Sequence, residues 1–360
     1  MKLFLCGDVM TGRGIDQILP SPCDPELDEP WVKSALDYVR LAERAGAAIP
    51  RRASPDYIWG DALAELERAQ PDARIVNLET AVTLSNERAP KGINYRMSPA
   101  NAACLAAARI DCCVLANNHV LDWGVAGLEE TLHTLHSLGI RTAGAGRDAE
   151  SAASPAVLES RNEKRLLVFA FGMKSSGVPE DWAAAPGRPG VSFLADLSSQ
   201  TTDAVADRIL RAKPAGDLAI VSVHWGANWG YEVSHRQRSF ARRLIDAGAA
   251  DLVHGHSAHH PGAIEIYRGR LILYACGDLI NDYEGISGHE SYRPGLGLMF
   301  FPELDAATGK LAELALVPMR MRGFRLNRAS GEDADWLAAT LREASRLPVE
   351  RAADGRLFVR

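Results

Sequence analysis

Asp8, Asn77 and Glu79, Asn117 to His119, His224, and the run from His254 to His260 each stand just after a short apolar segment. Two carboxylates, amides and three or more imidazoles form a mixed nitrogen and oxygen donor set. Such a set suits a divalent cation: Mn, Fe or Zn, or, with more oxygen and water, Ca or Mg. Taken singly, each residue has a plainer role. Asp8 ahead of Val-Met-Thr-Gly fits a turn or helix cap, and His224 fits a hydrogen-bonded core histidine. Together they are costly to bury without a cation or dense hydrogen bonding.

Acid and base groups stand beside these donors. His119 lies three residues before Asp122, and Asp278, followed by Asp282 and Glu284, comes soon after His259. An imidazole oriented by a carboxylate moves protons near neutral pH, so the expected pairs are His119 with Asp122 and His259 with Asp278. The alternatives are a helix cap at Asp122, ahead of Trp123-Gly124, and a turn at Asp278, beside Gly277. Trp225, Trp229 and Tyr231 could wall a substrate pocket or pack in the core. Arg96 could offer its guanidinium fork to a carboxylate or phosphate, or form a surface salt bridge. His133 and His136 share a helix with leucines and read as a solvated face; His235 and His289 read as surface residues.

To bring these residues together, the chain must place several strand ends at one edge. Apolar runs predict buried strands at Leu3–Cys6, Arg74–Val76, Cys112–Ala116, Leu166–Phe171, Leu218–Val223, Asp251–Val253 and Leu271–Ala275. Helical spacing predicts helices over Ile58–Ala69, Gly127–Leu138, Thr201–Ala212 and Gln237–Ala247. The alternation makes an α/β domain. The carboxyl ends of strands in such sheets line the ligand crevice. We read one catalytic domain over 1–322 and a C-terminal extension over 323–360 packed on it.

Composition narrows the class. With 360 residues and 47% hydrophobic content, the chain can bury a large core. A formal net charge of -6, without long runs of either sign, speaks against nucleic acid. No apolar run of about eighteen residues occurs, so no membrane span is expected and the reading is cytoplasmic. The six cysteines lack CxxC spacing and read as buried free thiols.

The ordered motifs GDVM (7–10), NLET (77–80), ANNHVLDWG (116–124), HWG (224–226) and GHSAHH (255–260) resemble those of the CapA-like, poly-gamma-glutamate capsule synthesis family. That family belongs to the calcineurin-like metallophosphoesterase superfamily. The resemblance runs from about Lys2 to Met321. It implies a four-layer α/β/β/α sandwich, with Asp8, Asn118, His224 and His256 as metal ligands, His119 as general acid and His259 in the place of the last histidine of the family's Gly-His motif. Glu79, in Asn77-Leu78-Glu79, stands where the superfamily has a bridging Gly-Asp, and Met10 replaces a ligand histidine. One cation rather than two is therefore expected. Three functions follow: Cα epimerisation of a peptide in natural-product maturation, which is preferred; phosphoester hydrolysis; and an accessory role in poly-gamma-glutamate synthesis, disfavoured because no membrane anchor is expected. The expected partner is a peptide or small-molecule substrate, with its identity and the oligomeric state left open.

Overall fold

The computed structural model describes residues 1–46, 48–159 and 164–359. Its architecture is mixed α/β, built on two main sheets. At the centre of the larger sheet, Leu3–Val9, Ala73–Leu78, Cys112–Val114 and Arg141–Ala143 run parallel. Leu296–Leu304 joins Leu3–Val9 in antiparallel fashion and forms a long hairpin with Leu311–Met321. In the smaller sheet, Arg165–Gly172, Leu218–His224, Leu252–His256 and Arg270–Leu273 run parallel. Antiparallel edge strands Ala156–Glu159 and Ile264–Tyr267 close it.

Period-two alternation explains the layering, because successive side chains of a strand point to opposite faces. Leu3 and Leu5 enter one buried cluster together with Val168, Ala170 and Ile220 of the other sheet, while Phe4 and Cys6 enter a second, with Val39, Trp59 and Leu135 of helices. On the far side of the smaller sheet, Leu167, Phe169 and Val221 meet Ile209 and Phe240 of the helices Ser199–Ala212 and His235–Asp246. The latter helix starts at a capping box formed by Ser234 and Gln237.

All seven expected strands are present, and several of them run further than the apolar runs that marked them. Asp8 lies inside its strand, not after it, and His224 and His256 are the last residues of theirs. The hairpin Leu296–Leu304 with Leu311–Met321 was not anticipated. Toward the C-terminus, Leu337 and Leu341 of the helix Gly331–Ser345 join the cluster between the sheets, and Leu357–Val359 pairs with Leu311–Met321. Among the described residues, no helix is long and apolar enough to cross a membrane.

Candidate metal centre and its cavity

The carboxyl ends of the parallel strands of both sheets meet at one place. In the larger sheet, Asp8 is in register with Asn77 on one side and Asp278 on the other. Gly7 and Gly277 permit this closeness: a Cβ on Gly7 would stand 1.9 Å from the Gly277 carbonyl oxygen, and Gly277 has a φ of +74°. In the smaller sheet, His224 and His256 are in register on adjacent strands. Asp8 Oδ1 lies 3.8 Å from His256 Nδ1, joining the two sheets. Ser257, just beyond, has a φ of +107° and donates its backbone N–H to Asp8 Oδ2 at 3.3 Å. This is the strained backbone that a surrounding site can hold in place.

A chain of hydrogen bonds sets the imidazoles' proton positions. The Cys6 carbonyl can only accept, so His254 donates to it from Nε2 at 2.8 Å. Burial pushes His254 down to about 4, so the ring is neutral and its Nδ1 accepts from the Ser222 hydroxyl at 3.1 Å. Ser222 Oγ has then spent its one proton and accepts from His256 Nε2 at 2.8 Å. His256 Nδ1 is left with a lone pair. His224 donates from Nε2 to Asn118 Oδ1 at 2.9 Å, which leaves a lone pair on its Nδ1 as well. These two Nδ1 atoms face each other at 2.7 Å. Burial holds both histidines well below their ordinary pKa. Two lone pairs at that separation repel, and a cation held beside Asp8 would relieve them.

The carboxylates tell the same story. Burial, and next the charge of Asp278, raise Asp8 to about 7. Burial, with Asp8 and Asp278, raises Glu79. Glu79 Oε1 stands 3.7 Å from His224 Nε2 and 3.9 Å from His119 Nε2. A divalent ion would offset these desolvation costs, so the donor set fits one. Asp8, His224 and His256 form one group of closely spaced ligand atoms, and Asp8, His259 and Asp278 form a second. Asn118 adjoins the first group through His224. Sharing of Asp8 between two groups leaves room for a second cation, where the sequence led us to expect one.

Both expected acid–base pairs form. His119 Nδ1 meets Asp122 Oδ2 at 2.6 Å, and His259 Nδ1 meets Asp278 Oδ1 at 3.0 Å. The helix-cap alternative for Asp122 fails: Trp123 is the N-cap, and it makes no side-chain cap bond. Asp122 Oδ2 accepts instead from the Tyr95 backbone N–H, and its Oδ1 from Lys91 at 2.7 Å. Burial, partly opposed by Asp122, pushes His119 down to about 4. Burial lowers His259, but the charge and hydrogen bond of Asp278 together with the charge of Asp8 more than offset it, so the ring is raised. Neutral His119 donates Nδ1–H to Asp122 and turns Nε2 toward Glu79.

Two substrate-contact expectations need correction. Trp225 is 2% exposed, packs on Phe240 and donates its indole N–H to the Tyr274 carbonyl, so it belongs to the core. Arg96 lies over the Trp123 ring and donates to the Ser85 carbonyl and to Asn86, so its guanidinium is already engaged away from the donor cluster. Trp229 does line the cavity beside the cluster, a space of about 720 Å³ that also borders Glu79, Asn118, His119 and His259. His289, read as a surface residue, is exposed but stacks on Trp229 with ring centroids 3.9 Å apart. His133 and His136 sit on an exposed helix face as expected.

Several contributors escaped the sequence reading. Lys91 braces Asp122 from a Pro- and Gly-flanked loop, with no periodic signal to mark it. Arg13 is buried against Asp282, Glu29 and Tyr38. Ser222 relays between two histidines from mid-strand. Asn117, already among the residues the sequence singled out, ties the second and third strands together through Asn77 Oδ1 and the Leu78 carbonyl.

Residues 2–283 match the family model described as bacterial capsule synthesis protein PGA_cap. The chain belongs to that family. It is 48% identical over 348 residues to a probable polyglutamine synthesis accessory protein of Mycobacterium tuberculosis (strain ATCC 25618 / H37Rv), covering 96% of this chain and 91% of that protein. It is 27% identical over 278 residues to the PGA biosynthesis protein CapA of Bacillus subtilis (strain 168), covering 77% of this chain and 62% of that protein. The capsule biosynthesis protein CapA of Bacillus anthracis is 25% identical over 290 residues, covering 78% of this chain and 60% of that protein. All five motifs fall within the matched region.

Proposed function

We propose that this PGA_cap family member is a metal-dependent accessory protein of polyglutamine- or polyglutamate-type polymer synthesis, acting on a peptide-type chain in the cavity beside Asp8, His224 and His256. Its two sheets and flanking helices then form the four-layer sandwich of the calcineurin-like metallophosphoesterase type, with 1–322 as the catalytic domain and 323–360 as an extension packed on it. The relatives' names favour the accessory reading over Cα epimerisation. The observation that carries it is the pair of facing imidazole nitrogens, 2.7 Å apart beside the buried Asp8 carboxylate.

Asp8, His224 and His256, with Glu79 and Asn118 around them, would hold the cation. A divalent ion there supplies Lewis acidity toward a carbonyl or phosphoryl oxygen. His119, held by Asp122 and Lys91, accepts a proton at Nε2. His259, kept protonated by Asp278, gives one back. Tyr95 stacks on the His119 ring, with centroids 3.9 Å apart, and fixes its plane. A second reading, proton removal and return at a peptide Cα, draws on one observation: the imidazoles of both imidazole–carboxylate pairs border a single cavity.

The test is complementation. In a host whose own family member has been deleted, the wild-type chain restores the cell's polyglutamine or polyglutamate. A His256→Ala chain of native circular dichroism does not. Restoration by that variant would sink the proposal. Solvent deuterium appearing at a peptide Cα would support the second reading instead.

A further inference from the structure

Two phenols link the imidazoles of the acid–base pairs. Tyr95 stacks on His119, and Tyr283 sets its ring edge-on to His259, with centroids 5.4 Å apart and planes at 88°. The two hydroxyls meet at 2.9 Å, and both tyrosines line the cavity. Each phenol is also tied to the carboxylate that orients its neighbouring imidazole. Tyr95 donates its backbone N–H directly to Asp122 Oδ2 at 2.6 Å. For Tyr283 the tie runs through Asn281, whose Oδ1 accepts the Tyr283 N–H at 3.1 Å and whose Nδ2 donates to Asp278 Oδ2 at 3.0 Å.

One proton of this pair has no partner. A phenol carries one O–H and can also accept. One of the two protons makes the bond between the hydroxyls, and among the described residues neither oxygen makes a further hydrogen bond. Burial raises both phenols, so both keep their protons. The Arg13 guanidinium, 4.7 Å from the Tyr95 ring centroid, pulls the other way and makes the O–H a better donor.

We propose that the Tyr95–Tyr283 hydroxyl pair is a neutral donor site that gives its spare hydrogen bond to a backbone amide carbonyl oxygen of the bound chain. This rests on the cavity being the substrate site of the function proposed above, and it names the group that meets the reacting amide there. A carbonyl oxygen gathers negative charge when its carbon is attacked or when the adjoining Cα loses a proton. A donor already fixed in place stabilises that charge without reorganising. Because one phenol packs on His119 and the other on His259, the oxygen it holds lies within the reach of both proton-transfer groups.

The experiment uses the full chain loaded with Mn²⁺. It is titrated calorimetrically with N-acetyl-tetraglutamine amide and N-acetyl-tetraglutamate amide, both carrying carbon-13 at the backbone carbonyls, and the tighter probe is carried through the variants. Tyr95→Phe and Tyr283→Phe keep both rings. Whichever hydroxyl gives the outward bond, its removal should weaken the probe about tenfold, and removal of both should cost about the same. In isotope-edited infrared spectra the bound amide band should lie at lower frequency in the wild type than in the more severe single variant and in the double variant. A purely structural role would leave that band in place. The double variant should melt close to the wild type, because both partners become apolar groups of the same shape. Binding of neither probe, single losses that multiply in the double variant, a double variant that binds like the wild type, or an unmoved amide band would overturn the inference. Complementation, scored in parallel, keeps the two ideas apart. Failure of the wild-type chain to complement, with the band shift intact, would defeat the accessory reading and leave the donor site standing; complementation with an unmoved band would do the reverse.

Discussion

Cation binding to the apo protein should be pH-dependent in a way that Asp8 dictates. Burial and the neighbouring Asp278 raise the Asp8 carboxyl to about 7, so a proton competes with the cation below that pH. The sign follows directly: a carboxyl raised in the folded apo protein is protonated on the acid side, and binding strengthens as pH rises through 7. His224 and His256 are pushed down by burial and do not compete in this window. With Mn²⁺ at about 100 times its dissociation constant at pH 7.5, binding adds about 2.7 kcal/mol. At about 2.1 cal/mol/K per residue, the unfolding entropy of this chain makes that a rise of about 3.5 °C in Tm. At pH 5.5 the ionised fraction of Asp8 falls by about 25-fold, leaving about 1 kcal/mol and a rise of about 1 °C. Differential scanning fluorimetry of EDTA-treated protein, with and without Mn²⁺ at both pH values, reads this. Asp8→Asn together with His224→Ala should abolish the shift. Equal shifts at the two pH values, or a shift that survives the double substitution, would refute the reasoning.

Arg13→Leu should cost about 3–5 kcal/mol, because Asp282 and Glu29 would be left buried and unpaired; thermal denaturation should show a Tm lower by roughly 4–7 °C. Trp225→Ala should lose about 3–5 kcal/mol as a core deletion, whereas Trp229→Ala, at the half-buried cavity wall, should leave urea unfolding nearly unchanged. Asp122→Asn should keep the Mn²⁺ thermal shift while abolishing complementation, since Asp122 orients His119 and stands outside both closely spaced ligand groups. The six buried thiols should resist a thiol reagent in the native protein and react only in denaturant, as a colorimetric titration would reveal; rapid native labelling of all six would contradict their burial.

The parallel strands, the helices between them and the donor residues after them were legible in the chain. Their signals are local: an apolar run, a three- and four-residue spacing, and a polar residue at the end of a strand. His119 and Asp122 are three residues apart, so their pairing could be anticipated from the backbone alone. The hairpin Leu296–Leu304 with Leu311–Met321 lies inside the domain read over 1–322, but neither of its strands was among those read from the chain. Trp225 and Trp229 illustrate the remaining ambiguity: four residues apart in one loop motif, one faces the helix layer and the other the cavity. Aromatic residues carry the same signal in both settings.

Which atoms meet was decided in three dimensions. Asp8 and His256 are 248 positions apart and come within 3.8 Å only because two separate sheets present their carboxyl edges to one another. The proton positions of His254, His256 and His224 depend on a backbone carbonyl at Cys6 and a serine in mid-strand, partners that no spacing rule links to them. Lys91 reaches Asp122 from a loop whose sequence advertises only a turn. The chain thus specifies its elements and donor types through short-range periodicity. Ligand geometry and protonation arise from long-range packing, because each depends on what stands opposite a side chain and not on what adjoins it in sequence.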